Sequence, residues 1–114
     1  MVIRVFRAQV RPGKNAEFKK CLEILTLPNI QYRNGMVAFY PGQPAGPNSD
    51  EFILVTVWRD AAADRMQCEA DWTKAIIPPE ALPLVQDFDI QSYQSFGVND
   101  QPGKPLFNLR ASTI

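Results

Sequence analysis

The chain of 114 residues contains no histidine. That absence removes the commonest metal ligand and the commonest general base near neutral pH, and with them histidine triads, histidine-ligated zinc and histidine-ligated haem. Cysteine is scarce. Cys21 and Cys68 are the two present, and each falls in an expected helix at a spacing that suits neither a metal site nor a redox pair. They read as buried thiols of a reducing compartment rather than as a disulfide. No sign of charge is in excess: 12 basic and 12 acidic residues cancel, without a Lys/Arg cluster. Phosphate neutralisation needs such a cluster, so neither nucleic acid nor an anionic membrane surface is expected as a partner. A long hydrophobic run is missing too. Met1 to Arg7 alternates and carries charge, which suits neither a signal peptide nor a membrane span and points to a cytoplasmic protein.

What is present is ordinary globular composition, 46% apolar and 21% charged, at a length that fits one domain. Val2 to Val10 reads as a strand. Val2, Phe6, Ala8 and Val10 share a face with Arg4, while Ile3 and Val5 share the other with Arg7 and Gln9. A turn at Arg11-Pro12-Gly13-Lys14 leads to Asn15 as a helix cap. Phe18, Cys21, Leu22 and Leu25 then form the apolar stripe of an amphipathic helix, with Pro28 marking its end or lying just beyond it. Asn34-Gly35 turns into a short strand, Met36 to Tyr40, and the Pro/Gly-rich stretch 41–50 is a loop. Phe52 to Trp58 is apolar on both faces and belongs in the middle of a covered sheet. A second helix follows Asp60, from Ala61 to about Lys74. Pro78 to Pro83 allows one helical turn at most, and Phe88 to Phe96 is the last strand. Residues 97–114 are a polar extension with a small apolar cluster at Leu106, Phe107 and Leu109, either wrapping a partner subunit or hanging loose.

The order β-α-β-β-α-β is the split βαβ motif of an α+β, ferredoxin-like domain spanning residues 1–96. It predicts a four-stranded antiparallel sheet with both helices on one face. Val5, Val55, Val57 and their neighbours then lie on the open face, where they make a larger apolar patch than monomers usually expose. Burying roughly eight such side chains supplies on the order of 10–20 kcal/mol gross, against an association cost of about 4–15 kcal/mol. A second copy of the chain is the simplest cover, giving a homodimer.

Several stretches resemble the antibiotic biosynthesis monooxygenase superfamily of dimeric α/β barrels. They are Val10-Arg11-Pro12-Gly13-Lys14 with Phe18, Asn34 to Gly42, Phe52 to Asp60, Asp71 to Glu80, and Gln91-Ser92-Tyr93. The superfamily includes cofactor-independent oxygenases of phenols and quinols, haem-degrading enzymes, and members without a known activity. The haem-degrading branch uses an Asn on strand one, a Trp on helix two and a His beyond it. The resemblance places Phe6, Gln67 and Ile77 at those points, and none of them fits. It therefore implies a cofactor-independent monooxygenase of a small aromatic or quinol-type substrate, with no metal and no other cofactor. The substrate anion passes an electron to oxygen while the protein binds, desolvates and deprotonates it. The alternative is a non-catalytic binding or stress-related module of the same fold.

A cavity between helices and sheet, lined by Phe6, Trp58, Trp72 and Tyr93, suits a flat aromatic ligand, with Gln67 and Ile77 as further substrate contacts. Tyr93 is the candidate for proton transfer, and Arg4 or Arg7 for holding an anion, since arginine stays charged. Each candidate has a plainer reading: core packing for Trp58, a structural hydrogen bond for Tyr93, a buried stem with a wet head for either arginine, and a solvated helix position for Gln67.

Overall fold

A computed structural model describes residues 1–31, 33–62 and 70–97. Strand β1 (Val2–Val10) runs down the middle of the sheet. It pairs antiparallel with β3 (Glu51–Trp58) on one side and with β4 (Val85–Gln94) on the other; β2 (Met36–Gly42) pairs with the far edge of β3, for the order β2-β3-β1-β4. This is the ferredoxin-like α+β sheet that the element order predicts. The alternation of β1 and β3 follows the sequence pattern: Val2, Arg4, Phe6, Ala8 and Val10 are buried, as are Phe52, Leu54, Thr56 and Trp58, while Ile3, Val5, Ile53, Val55 and Val57 remain half-buried on the other face.

The first helix departs from expectation in two ways. Asn15 does not cap it. The residue lies inside α1 (Asn15–Cys21), and its amide donates to Asp50 Oδ1 at 3.0 Å and to the Ser49 carbonyl at 3.5 Å. The side chain thus ties the helix start to the loop before β3. Nor does Pro28 end the helix. The chain widens into a π turn, Leu22–Thr26, and continues as α2 (Leu27–Ile30) with Pro28 in its first turn. A proline there forfeits an N–H that a first turn leaves unpaired anyway. The buried line runs Phe18, Leu22, Thr26, Ile30, in steps of four. In a regular α-helix such steps drift about 40° each; the wider π turn absorbs part of that drift and keeps Thr26 on the core side. Cys21 is a free, half-buried thiol; Cys68 lies outside the described residues.

Strand β2 continues two residues past the expected Tyr40, and its bulge between Met36 and Ala38 turns Val37 outward. Strand β4 starts three residues before the expected Phe88 and ends at Gln94 rather than Phe96. Backbone pairing with β1 carries it through the polar pair Gln86 and Asp87, because ladder bonds on an edge strand are indifferent to side-chain polarity. One 3-10 turn, Leu82–Leu84, occupies the proline-rich stretch. Of the second helix, residues 61 and 62 and α3 (Ala70–Ile76) are helical, and the residues between lie outside the description, as do 98–114 with the expected apolar cluster. Among the described residues no helix is long and apolar enough to cross a membrane.

Candidate functional site

The helix-facing side of the sheet carries one charged residue of β1, Arg4, and it is 1% exposed. The strand register sets its neighbours. Arg4 lies level with Thr56 on β3 and Ser92 on β4, while Phe6 lies one row along, level with Leu54 and Ile90. The row on the other side brings Trp58 level with Val2 and Met36. The guanidinium carbon of Arg4 stands 5.4 Å from the centroid of the Trp58 ring, a cation–π contact. Trp58 is wholly buried, and its Nε1 donates to Thr56 Oγ1 at 2.8 Å. That bond fixes the indole plane against which the guanidinium rests. Phe6 is buried on the other flank, tilted against Phe88 with ring centroids 5.9 Å apart. Ile77, just past α3, belongs to the same buried cluster as Phe6 and Trp58.

The structure thus brings Arg4, Phe6, Trp58 and Ile77 into one interior. It does not bring Arg7 or Tyr93 there. Both sit at odd positions on their strands: Tyr93 is level with Ile3, and Arg7 with Ile53 and Asp89, all on the face turned away from the helices. Tyr93 is half exposed and Arg7 is exposed. The expected cavity of Phe6, Trp58, Trp72 and Tyr93 is corrected accordingly, since a two-residue period cannot put residue 93 on the face of residues 88 and 90. Trp72 belongs to α3, but its side chain, like Gln67 altogether, lies outside the described residues.

Sequence reasoning passed over two residues. Thr56 shares the face of Trp58, and a hydroxyl in an otherwise apolar strand was its available signal. Thr26 is fully buried and its Oγ1 donates to the Ile76 carbonyl at 2.8 Å, a contact across 50 positions with no local signature. Two apolar grooves of about 280 and 330 Å³ flank the first helix, one over Leu22, Leu27 and Phe52, the other over Cys21, Ile24 and Leu84; neither is lined by Arg4 or Trp58. Among the described residues no group of three or more Cys, Asp or Glu could hold a metal ion.

No protein-family model matches the chain, and no curated protein matches it. Solved structures do. A protein of Deinococcus radiodurans, provisionally assigned as an antibiotic biosynthesis monooxygenase, is 17% identical with a TM-score of 0.69, over 90% of this chain and 100% of the other. SnoaB, a cofactor-independent oxygenase from Streptomyces nogalater solved as its N63A mutant, is 17% identical with a TM-score of 0.67, over 88% and 97%. The haem degrader MhuD of Mycobacterium tuberculosis, with two haems in its active site, is 16% identical with a TM-score of 0.66, over 83% and 95%.

The chain has the fold of the antibiotic biosynthesis monooxygenases. Phe6 and Ile77 are buried hydrocarbon side chains, 2% and 4% exposed, and the sequence contains no histidine.

Proposed function

We propose that this protein is a small antibiotic-biosynthesis-monooxygenase-like oxygenase. It binds a flat aromatic anion of the phenol or quinol class between sheet and helices. The observation that carries this reading is the guanidinium of Arg4, buried on the helix-facing side against the Trp58 ring. A buried arginine remains charged, and its several N–H groups can serve an anionic oxygen in addition to a partner within the chain. Phe6, Trp58 and Ile77 supply the apolar walls that strip water from the substrate.

The chemistry needs no further reductant. A substrate whose keto tautomer carries a ring CH2 gives up a proton to solvent before it is enclosed and binds as its anion, which transfers one electron to O2; the peroxide formed next takes a proton back from solvent. The radical pair combines at that carbon into a hydroperoxide, and loss of water leaves a carbonyl, so that CH2 and O2 become C=O and H2O. Arg4 holds the anionic oxygen, and Tyr93, on the opposite face, takes no part. Two protomers join through the outer sheet face, each keeping its own site.

Oxygen uptake by the purified protein with a panel of hydroquinones and phenols tests the proposal. The expected result is uptake well above the buffer rate for at least one member. Uptake at the buffer rate across the panel overturns it. The lack of histidine favours a second reading, a module of the same fold that binds such molecules without turnover. Ligands that raise the unfolding temperature and are recovered unchanged support it.

A further inference from the structure

We infer that Thr26 is a positioning residue for the site, the latch that holds the end of α3 against the first helix. The inference rests on the aromatic-anion reading only where it concerns ligand affinity.

Helix α3 ends in the sequence Ile76-Ile77-Pro78-Pro79. Helix-terminal carbonyls lack intrahelical donors, and two consecutive prolines remove the N–H groups that would have reached the carbonyls of Lys74 and Ala75. The Ile77 N–H still closes onto the Thr73 carbonyl at 2.8 Å, and the Ile76 carbonyl is met by Thr26 Oγ1, also at 2.8 Å, where Thr26 is 0% exposed. A helical threonine commonly turns its hydroxyl back to the carbonyl four residues earlier. Here the π turn Leu22–Thr26 rotates it toward the other helix. A π turn inside an α-helix is a rare geometry that recurs at functional sites, and in this chain the turn delivers one buried hydrogen bond between the two helices that roof the sheet.

The bond acts where the site needs it. Ile77 follows directly on Ile76 and closes the buried cluster with Phe6 and Trp58. Fixing the Ile76 carbonyl therefore bears on how Ile77 sits in the cluster that holds Phe6 and Trp58. The hydrogen bond is directional, unlike the apolar packing around it.

Thr26→Val removes the hydroxyl with little change of shape, and Thr26→Ser keeps it. Amide hydrogen exchange of residues 73–77 and calorimetric titration with 4-nitrophenolate, both well below the unfolding temperature, read the latch and the site separately. The expected result is faster exchange at Ile76 and Ile77 and affinity lowered about tenfold in the valine variant, with the serine variant within about twofold of the parent. Unchanged exchange at these amides in the valine variant overturns the inference even if its unfolding temperature falls, and so does a serine variant as impaired as the valine one. If the valine variant does not fold, Thr26→Ala makes the same comparison with less bulk. Should the parent protein ignore 4-nitrophenolate while the valine variant exchanges faster, the latch stands and the aromatic-anion reading falls.

Discussion

Among the described residues, Arg4 is the one charged side chain in the buried interior, beside the hydroxyls of Thr26 and Thr56. Its burial is costly unless the charge is compensated, and the Trp58 face contributes part of that compensation. Arg4→Lys keeps a charge but loses the planar fork that lies on the ring, whereas Arg4→Met keeps only bulk. Titration with 4-nitrophenolate is expected to show binding weakened in the lysine variant and abolished in the methionine variant; equal affinity in all three proteins would remove Arg4 from the site. Thr56 offers a cleaner stability test. Thr56→Val removes the hydroxyl that Trp58 Nε1 donates to at 2.8 Å, and loss of one such hydrogen bond costs about 0.5–1.5 kcal/mol, readable as a lower urea midpoint. At this scale the sequence was partly legible. Strand periodicity put Arg4 and Arg7 on opposite faces, and the structure agrees. It could not say which face the helices cover, and so left two arginines as candidates where the fold buries one. The residue type of Tyr93 suggests a cavity role, whereas its strand parity sets it apart from Phe88 and Ile90.

Among the elements, the first helix teaches most. An interior helical proline costs about 3 kcal/mol, yet Pro28 sits in the first turn after the π segment. Pro28→Ala is therefore expected to change stability by less than about 1 kcal/mol; a gain near the full interior cost, measured by denaturant unfolding, would show that the π turn does not accommodate the ring. The Asn34-Gly35 turn was visible in the sequence, and Gly35 does adopt a positive φ of 86°. Gly35→Ala should lower stability by about 1–2 kcal/mol, the penalty for a Cβ in that region. Strand ends were less legible. β4 gains Val85 to Asp87 because β1 offers a ladder there, information that no window of β4's own sequence holds.

For the whole molecule, the outer face sets the expected assembly. Ile3, Val5, Ile53, Val55 and Val57 line its centre, half-buried within a single chain, and Val5 and Val55 are direct cross-strand neighbours. A second copy that covers them removes the patch from water, and the gain scales with the apolar area lost. Sedimentation is expected to give close to twice the 12.9 kDa chain mass. Val55→Lys places a charge in the middle of that face and should return the protein to single chains. A parent protein that sediments as one chain at micromolar concentration would rule out the paired arrangement.

The amino-acid sequence alone determined the order of elements, the residues that share a face on each strand, and the chemistries that lack of histidine removes. These are local or compositional properties, set by side-chain period and residue type within a few positions. Only the tertiary structure decided which face received the helices, hence that Arg4 rather than Arg7 is enclosed, and that Thr26 meets Ile76 from 50 residues away. Such choices depend on how distant surfaces pack, and a one-dimensional pattern that fits two faces equally well does not contain the energy difference between them.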